Sequence, residues 1–209
     1  FLQKVIMIPE EYNLPDKTVM GKFASSLAVF YPSFEKERFH SLLQSFNLDP
    51  SKKLGKYSYG QRKKFLIAFA LSTGCKLLLL DEPTNGLDIP SKSIFRKIVA
   101  AHLRTDQTVI ISTHQVKDVE NLIDRVILLD QGRIVLDQEM LAISDHYSFG
   151  FSAQLSKAWI YWEKAQGGYH FFKRLTPGEN PTQVNIELFF NAVSQGIVLV
   201  ESTQNETVL

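Results

Sequence analysis

Apolar runs that end in turn residues alternate along this chain with segments in which apolar residues recur at helical spacing. The clearest run is Leu77–Leu80, which is apolar at every position and is followed by Asp81, Glu82 and Pro83. Such a run is typical of a central parallel strand whose two faces are both covered. Because proline cannot donate to a strand ladder, the strand is expected to end at Asp81 or Glu82.

Two carboxylates therefore follow this strand at the carboxyl edge of a parallel sheet, where ligands of open α/β folds bind. Ionised carboxylates beside a buried strand are costly unless a cation or hydrogen-bond donors compensate them, and a metal-phosphate ligand would do so. The alternative is that Asp81 only ends the strand and caps the next turn.

Two shorter apolar runs predict further strands at Val5–Ile8 and Thr108–Ile111. A helix predicted over Ser91–Leu103 connects the strand at Leu77–Leu80 to the one at Thr108–Ile111. Strand, helix and strand of this length form a right-handed crossover, so the residues after both strands share one sheet edge. His114 is therefore expected to emerge beside the two carboxylates.

Helical spacing dominates the region between the first two strands. The predicted features are a helix with Ser33 as N-cap that ends near Asn47, Asp49 and Pro50, and an apolar helix over Phe65–Leu71 closed by Gly74. A short helix is predicted over Val116–Ile123. Together with the strands, these segments indicate an α/β fold with a parallel sheet flanked by helices.

The remainder of the chain has a different sequence pattern. Gln131-Gly132, between Arg125–Asp130 and Arg133–Asp137, is the strongest hairpin signal. Beyond about residue 144 the composition is aromatic, with two strand-like segments meeting at Gln166–Gly168, a helix over about Asn185–Ser194 and a strand over Ile197–Val200. Aromatic residues without clustered lysine or arginine indicate a small core or a partner surface rather than base stacking.

Composition narrows the function classes. The chain has 209 residues, 23 basic and 22 acidic side chains and a net charge of +1, so nothing favours a nucleic-acid partner. Its single cysteine, Cys75, rules out an internal disulfide framework and fits a reducing compartment. No apolar run approaches the roughly 18 residues needed to cross a bilayer, so a membrane role is expected to come through a partner.

The segment Tyr57–Lys64 contains a helix start with unusual chemistry. Ser58 and Gln61 have the spacing of a capping box, which is a sufficient structural explanation by itself. Gly60 lowers helix propensity, however, and three consecutive cations after it lie near the positive end of the helix dipole. An anionic ligand at this helix start would offset both penalties, so anion binding is favoured over capping alone.

Taken together, these motifs resemble the nucleotide-binding domain of ABC transporters from Phe1 to about Met140. Tyr57–Gln61 is similar to the family's signature sequence, Leu77–Glu82 to Walker B with its catalytic glutamate, Asn85–Asp88 to the D-loop, and His114 to the switch histidine. The order and spacing of four motifs make the match specific. The resemblance implies a P-loop NTPase-like parallel sheet with a helical subdomain at about 16–74, a partial nucleotide-binding domain over 1–143, and a small C-terminal α+β extension over 144–209.

The resemblance also implies roles and ligands, which are ATP and Mg²⁺. It assigns Asp81 to metal binding and Glu82 and His114 to catalysis. It assigns six residues to nucleotide binding: Ser58, Tyr59, Gly60, Gln61, Asp88 and Glu10. It implies two ABC ATPase domains paired head to tail, a transmembrane permease subunit as partner, and a position at the cytoplasmic face of the membrane.

Two departures from the family pattern stand out. Glu10, or Glu11 if the register slips by one, occupies the place of a glutamine that usually contacts the metal and the membrane subunit. In addition, no G-x-x-x-x-G-K-[ST] string, which supplies most of the phosphate cradle, occurs in the 209 residues. The expectation is an N-terminally truncated domain that by itself neither binds ATP well nor hydrolyses it. Tight binding of Mg-ATP by the 209-residue polypeptide would contradict that expectation.

Two other classes remain open at this stage. One is a soluble ABC ATPase that acts on ribosomes or DNA, although neither tandem cassettes nor a long coiled-coil insertion occurs in the sequence. The other is a non-enzymatic module in which Asp81 and Glu82 are structural remnants.

Overall fold

The computed structural model describes residues 2–197 and divides into two compact units, residues 1–122 and 123–209. This division lies ahead of the predicted one at residue 143, because the hairpin of β4 (Arg125–Asp130) and β5 (Arg133–Glu139) packs with two helices that follow it, Met140–His146 and Ile186–Ser194. Within the described part of the chain, none of the helices combines the length and the apolar character needed to cross a membrane.

The first unit is built on a three-stranded parallel sheet. Its strands are β1 (Val5–Ile8), β2 (Leu77–Asp81) and β3 (Thr108–Ser112), in the order β1-β2-β3. The predicted central strand is therefore central in this sheet, and Asp81 pairs with Ser112 at its carboxyl end. This register brings the turn after β2 and the turn after β3 to the same edge.

The cover predicted for both faces of β2 is complete on one face only, because Leu78 and Leu80 are buried whereas Leu77 and Leu79 are half-buried. Ile6, Leu78 and Leu80 on one face are buried. On the other face, Met7 is 57% exposed and Ile110 is 55% exposed. Parallel strands are normally covered on both faces, so in the described residues this sheet is half covered.

Four α-helices accompany the sheet: α1 (Met20–Ala28), α2 (Lys36–Ser45), α3 (Tyr59–Ser72) and α4 (Ile89–His102). Short 3-10 turns cover Leu2–Lys4, Leu54–Lys56 and Val116–Asp118. Helix α3 packs against β1, α2 and α4 and is buried almost all round, as its continuous apolar run from Phe65 to Leu71 requires.

Two local predictions are wrong. Helix α2 has Glu35 rather than Ser33 as its N-cap, because the Glu35 amide donates to Ser72 O at 2.8 Å and its carboxylate binds Arg104. The short helix predicted over Val116–Ile123 is a single 3-10 turn, Val116–Asp118, followed by further turns. Lys92 binds Asp118 across that turn at 2.6 Å, so a tertiary ion pair is present where the helix was expected.

The second unit contains the predicted hairpin β4–β5, then α5 (Met140–His146), and an antiparallel sheet in the order β6-β8-β7. The strands of that sheet are β6 (Tyr147–Ser152), β7 (Tyr161–Ala165) and β8 (Gly168–Arg174). Helix α6 (Ile186–Ser194), which was predicted over about Asn185–Ser194, packs on it and has Asn185 as its N-cap. The strand predicted over Ile197–Val200 falls outside the described residues, apart from Ile197, which is not in a strand.

The core of the second unit accounts for its aromatic composition. Phe172 and Phe189 are almost completely buried, and their ring centroids lie 5.6 Å apart. Tyr147 and Phe149 pack against both of them. These residues form a small core, as the sequence indicated.

Candidate nucleotide site at the carboxyl edge of the sheet

The turns after β2 and β3 bring Glu82 and His114 into direct contact. His114 Nδ1 lies 2.7 Å from Glu82 Oε1, and the His114 main-chain N–H donates to the same oxygen at 2.8 Å. The Thr113 hydroxyl donates to Glu82 Oε2 at 2.9 Å. The Glu82 side chain is therefore fixed by three groups of the turn after β3, whereas the His114 side chain is 72% exposed and free to meet a ligand.

Asp81 lies beside this pair at the end of β2. Its Oδ1 accepts from the Ser112 hydroxyl at 2.6 Å, and its Oδ2 is 3.4 Å from the Glu10 main-chain N. No group of three or more acidic, histidine or cysteine side chains suited to a metal occurs in the described residues. Mg²⁺ needs only one or two protein carboxylates when phosphate oxygens and waters complete its octahedron, so the half-exposed Asp81 carboxylate fits that ion.

Glu10, rather than Glu11, faces the acidic edge. Its Oε1 accepts from Asn85 Nδ2 at 2.6 Å, which joins the loop after β1 to the turn after β2. Glu11 is exposed. The Glu10 carboxylate is thus tied to an amide and stands close to Asp81.

The main chain at Glu82 adopts a left-handed conformation, with φ of +42°. Such a conformation is uncommon for a residue with a side chain and costs about 1–2 kcal/mol. Helix α3 contributes a donor to this turn, because Lys63 Nζ lies 2.6 Å from Glu82 O and 3.4 Å from Asn85 O. Burial lowers the pKa of the Lys63 ammonium group, while the negative charges of Glu10, Glu82 and Asp81 act in the opposite direction.

The start of α3 has the predicted capping box. Ser58 Oγ accepts from the Gln61 N–H at 3.3 Å, and Gln61 Oε1 accepts from the Ser58 N–H at 2.9 Å. A Cβ atom at Gly60 would lie 3.1 Å from Gly86 O and 3.3 Å from a Leu87 methyl group. The close approach of the turn after β2 therefore gives Gly60 a packing role in addition to the anion contact expected from the sequence.

Tyr59 joins the start of α3 to the loop after β1. Its hydroxyl donates to Glu10 O at 2.6 Å, while the Tyr12 hydroxyl donates to Tyr59 O at 2.8 Å. The two rings are stacked, with centroids 5.2 Å apart. Burial and the charge of Glu10 raise the pKa of the Tyr59 hydroxyl, so it is a donor at neutral pH.

Asp88 lies at the N-terminus of α4, on the surface of the first unit. Its carboxylate accepts from the Ser91 N–H at 2.9 Å and caps the helix. These hydrogen bonds lower the pKa of the Asp88 carboxyl group. Asp88 is exposed, and no hydrogen bond or ion pair within the described residues joins it to Glu82 or His114.

The sequence reasoning missed Lys63 and Tyr12. Lys63 precedes the buried Leu66 and Ile67 by three and four residues, so helical spacing alone places it on the buried face of α3. That spacing was the available signal. Tyr12 lies in a loop without periodicity, and nothing in its neighbourhood distinguishes it.

A parallel sheet with an acidic pair at its carboxyl edge, a histidine on that pair and a capped, glycine-containing helix start nearby is the arrangement that the resemblance to ABC ATPase domains predicts.

The comparisons with known proteins agree. Residues 1–85 match the family model described as ABC transporter. The chain is 35% identical over 102 residues to the ABC transporter ATP-binding protein NatA of Bacillus subtilis, covering 48% of this chain and 42% of NatA. It is 32% identical over 142 residues to the SkfA peptide export ATP-binding protein SkfE of the same species, covering 65% of this chain and 59% of SkfE.

A solved structure of the ATP-binding subunit of an ABC transporter superposes with a TM-score of 0.61 at 23% identity, over 68% of this chain and 61% of that one. This likeness confirms the fold. Part of the chain is therefore similar to ABC transporter ATP-binding proteins, and the chain spans about half the length of the curated relatives it matches.

Proposed function

We propose that the full-length gene product is the ATP-hydrolysing subunit of an ABC transporter. Two such domains would pair head to tail around ATP, coupled to a transmembrane permease subunit at the cytoplasmic face of the membrane. The family match and relatives named as transport ATP-binding proteins support this proposal. The observation that carries it is the contact between Glu82 and His114 at 2.7 Å.

In this proposal Glu82 polarises the attacking water and His114 contacts the γ-phosphate. The Glu82 side chain is 12% exposed and already oriented by the His114 amide and the Thr113 hydroxyl, so little reorganisation is needed when a substrate arrives. The exposed His114 ring, when both of its nitrogens carry hydrogens, can donate from Nε2 to a phosphate oxygen while Nδ1 donates to Glu82.

Asp81 would hold Mg²⁺, directly or through water, and Glu10 lies close enough to assist. When bound, the ion would neutralise charge that develops on the phosphates. The Ser112 hydroxyl orients the Asp81 carboxylate from the neighbouring strand.

The nucleotide held mainly by the second domain would contact the start of α3 at Ser58, Tyr59, Gly60 and Gln61. Asp88 would lie across the same interface. The Ser58 oxygen accepts the capping bond, which leaves its O–H free to donate to a phosphate. The N-terminus of the 14-residue helix α3 also favours an anion there.

The test is Glu82→Gln in the full-length gene product, compared with Glu37→Gln on the exposed side of α2. We expect Glu82→Gln to abolish ATP turnover and to preserve ATP-dependent dimers, because catalysis depends on positioning and charge while binding uses other groups. Glu37→Gln should turn over ATP like the wild type. Retained hydrolysis in Glu82→Gln would remove Glu82 from this role.

Two further observations separate the proposal from its rivals. Co-purification of the wild type with a multi-spanning membrane protein supports a transporter, whereas co-purification with ribosomes or DNA supports the soluble class. Absence of any turnover by the wild type would point to a non-enzymatic module.

A further inference from the structure

Lys63 is a fully buried cation in the second turn of α3, with 0% of its surface exposed. The roles proposed above do not use it. Burying an ammonium group costs several kcal/mol unless it is paired and hydrogen-bonded. An apolar residue would serve better if the position only filled the core, so the contacts of the amine need an explanation.

Those contacts converge on the turn that carries the candidate catalytic glutamate. Lys63 Nζ donates to Glu82 O at 2.6 Å and approaches Asn85 O at 3.4 Å. The Asn85 N–H donates to the same Glu82 oxygen at 3.1 Å. One carbonyl group thus receives two donors, and the amine binds both ends of the turn.

The turn needs such support because of the conformation of Glu82. Its φ of +42° is unfavourable for a residue with a side chain. This main-chain conformation accompanies the contact of the Glu82 carboxylate with His114 and Thr113. A donor aimed at the Glu82 carbonyl group favours that orientation of the peptide.

The same amine also contacts the start of its own helix. It lies 5.3 Å from the centroid of the Tyr59 ring, within the range of a cation–π interaction. Tyr59 in turn binds Glu10 O. Lys63 therefore connects three segments: the loop after β1, the start of α3 and the turn after β2.

We propose that Lys63 is a positioning residue that holds the Glu82–Asn85 turn in the conformation presenting the Glu82 carboxylate to His114, and that couples this turn to the helix start at Ser58 and Gly60. The coupling rests on the proposed function, in which Glu82 acts on one nucleotide and the start of α3 contacts the other. Lys63 then links the two nucleotide sites of a dimer through a single side chain.

The first experiment compares Lys63→Met, Lys63→Arg and Lys97→Met in the full-length gene product. Methionine keeps much of the length of lysine and leaves the two carbonyl oxygens without their donor, whereas arginine retains charge and donors. Lys97 is exposed on α4 and provides the same chemical change away from the site. Thermal melting verifies that each variant is folded.

We expect Lys63→Met to lower kcat about a hundredfold with KM little changed, because a misplaced catalytic group affects the transition state rather than ground-state binding. Lys63→Arg should recover part of the loss, and Lys97→Met should match the wild type. A folded Lys63→Met variant with wild-type kcat would overturn the proposal.

A second measurement needs neither turnover nor a stable variant. In the wild-type 209-residue chain, NMR should show that the Lys63 ammonium hydrogens exchange with solvent far more slowly than the ammonium hydrogens of the exposed Lys97. Exchange of the Lys63 ammonium group at the rate of an exposed lysine would refute the contact. If the wild type lacks ATPase activity, the proposed function fails, while this exchange result still decides whether Lys63 holds the turn.

Discussion

Gly74, which follows the C-terminus of α3, offers a sharp test of how the first unit is held together. Its φ is +72°, in the left-handed region. A Cβ atom there would lie 2.6 Å from Ser33 Cβ and 2.8 Å from Ser33 O. Ser33 O is a main-chain atom, so it cannot turn aside as a side chain would. The Glu35 N–H donates to Ser72 O at 2.8 Å, which holds the segment of Ser33 and Glu35 against the end of α3.

Three effects determine how far Gly74→Ala is expected to lower the free energy of unfolding. The left-handed conformation costs an alanine about 1–2 kcal/mol. The enforced shift of a packed segment costs about 1–3 kcal/mol. Loss of the glycine's freedom in the unfolded chain offsets about 0.4–1 kcal/mol. The net expectation is a destabilisation of about 3 kcal/mol.

Gly86→Ala is the matched control, since Gly86 lies in the same unit with φ of +76°. Its Cβ atom would meet the ring of Tyr59 at 2.8 Å, but that side chain is 44% exposed and can move. The control should therefore show mainly the conformational cost, about 1 kcal/mol.

Urea unfolding followed by far-ultraviolet circular dichroism suits this comparison, because four of the six described α-helices lie in the first unit. The difference between the two variants, about 2 kcal/mol, isolates the contact with the Ser33 main chain. Equal destabilisation by Gly74→Ala and Gly86→Ala would refute the packing argument.

Two smaller perturbations test the remaining contacts. Tyr59→Phe removes the donor to Glu10 O but keeps the ring stacked on Tyr12, and it should cost about 1 kcal/mol in urea unfolding; an unchanged midpoint would show that the bond is replaced by water. In the second unit, hydrogen bonds from Lys173 and then Thr176 lower the pKa of Glu179 from 4.5 to about 2. Its stabilising contribution is thus present above that unfolded value and is lost as the pH falls toward the folded one. Glu179→Gln should therefore make the melting temperature fall less steeply over this acidic range than it does in the wild type. Equal declines in the variant and the wild type would show that Glu179 makes no such contribution.

The edge chemistry could be read from the sequence because it depends on few constraints. An apolar run fixes β2 as the central strand, and a right-handed crossover leaves one position for the end of β3. The approach of His114 to Glu82 follows from those two facts. The hairpin at Gln131-Gly132 was equally predictable, since its turn chemistry is local.

The features that escaped prediction depend on tertiary contacts. The Lys92–Asp118 ion pair spans the region where a helix over Val116–Ile123 was expected. The exposure of Met7 and Ile110 could not be predicted, because an apolar run indicates that a strand is covered but does not identify the element that covers it. Helical spacing indicates that Lys63 is buried, but the carbonyl acceptors of its amine lie in a turn about 20 residues away, which no local pattern reveals.

The two tryptophans of the chain, Trp159 and Trp162, both belong to the second unit. The Trp159 indole stacks on the Phe171 ring with centroids 4.2 Å apart. Intrinsic tryptophan emission is therefore an optical probe of the C-terminal unit.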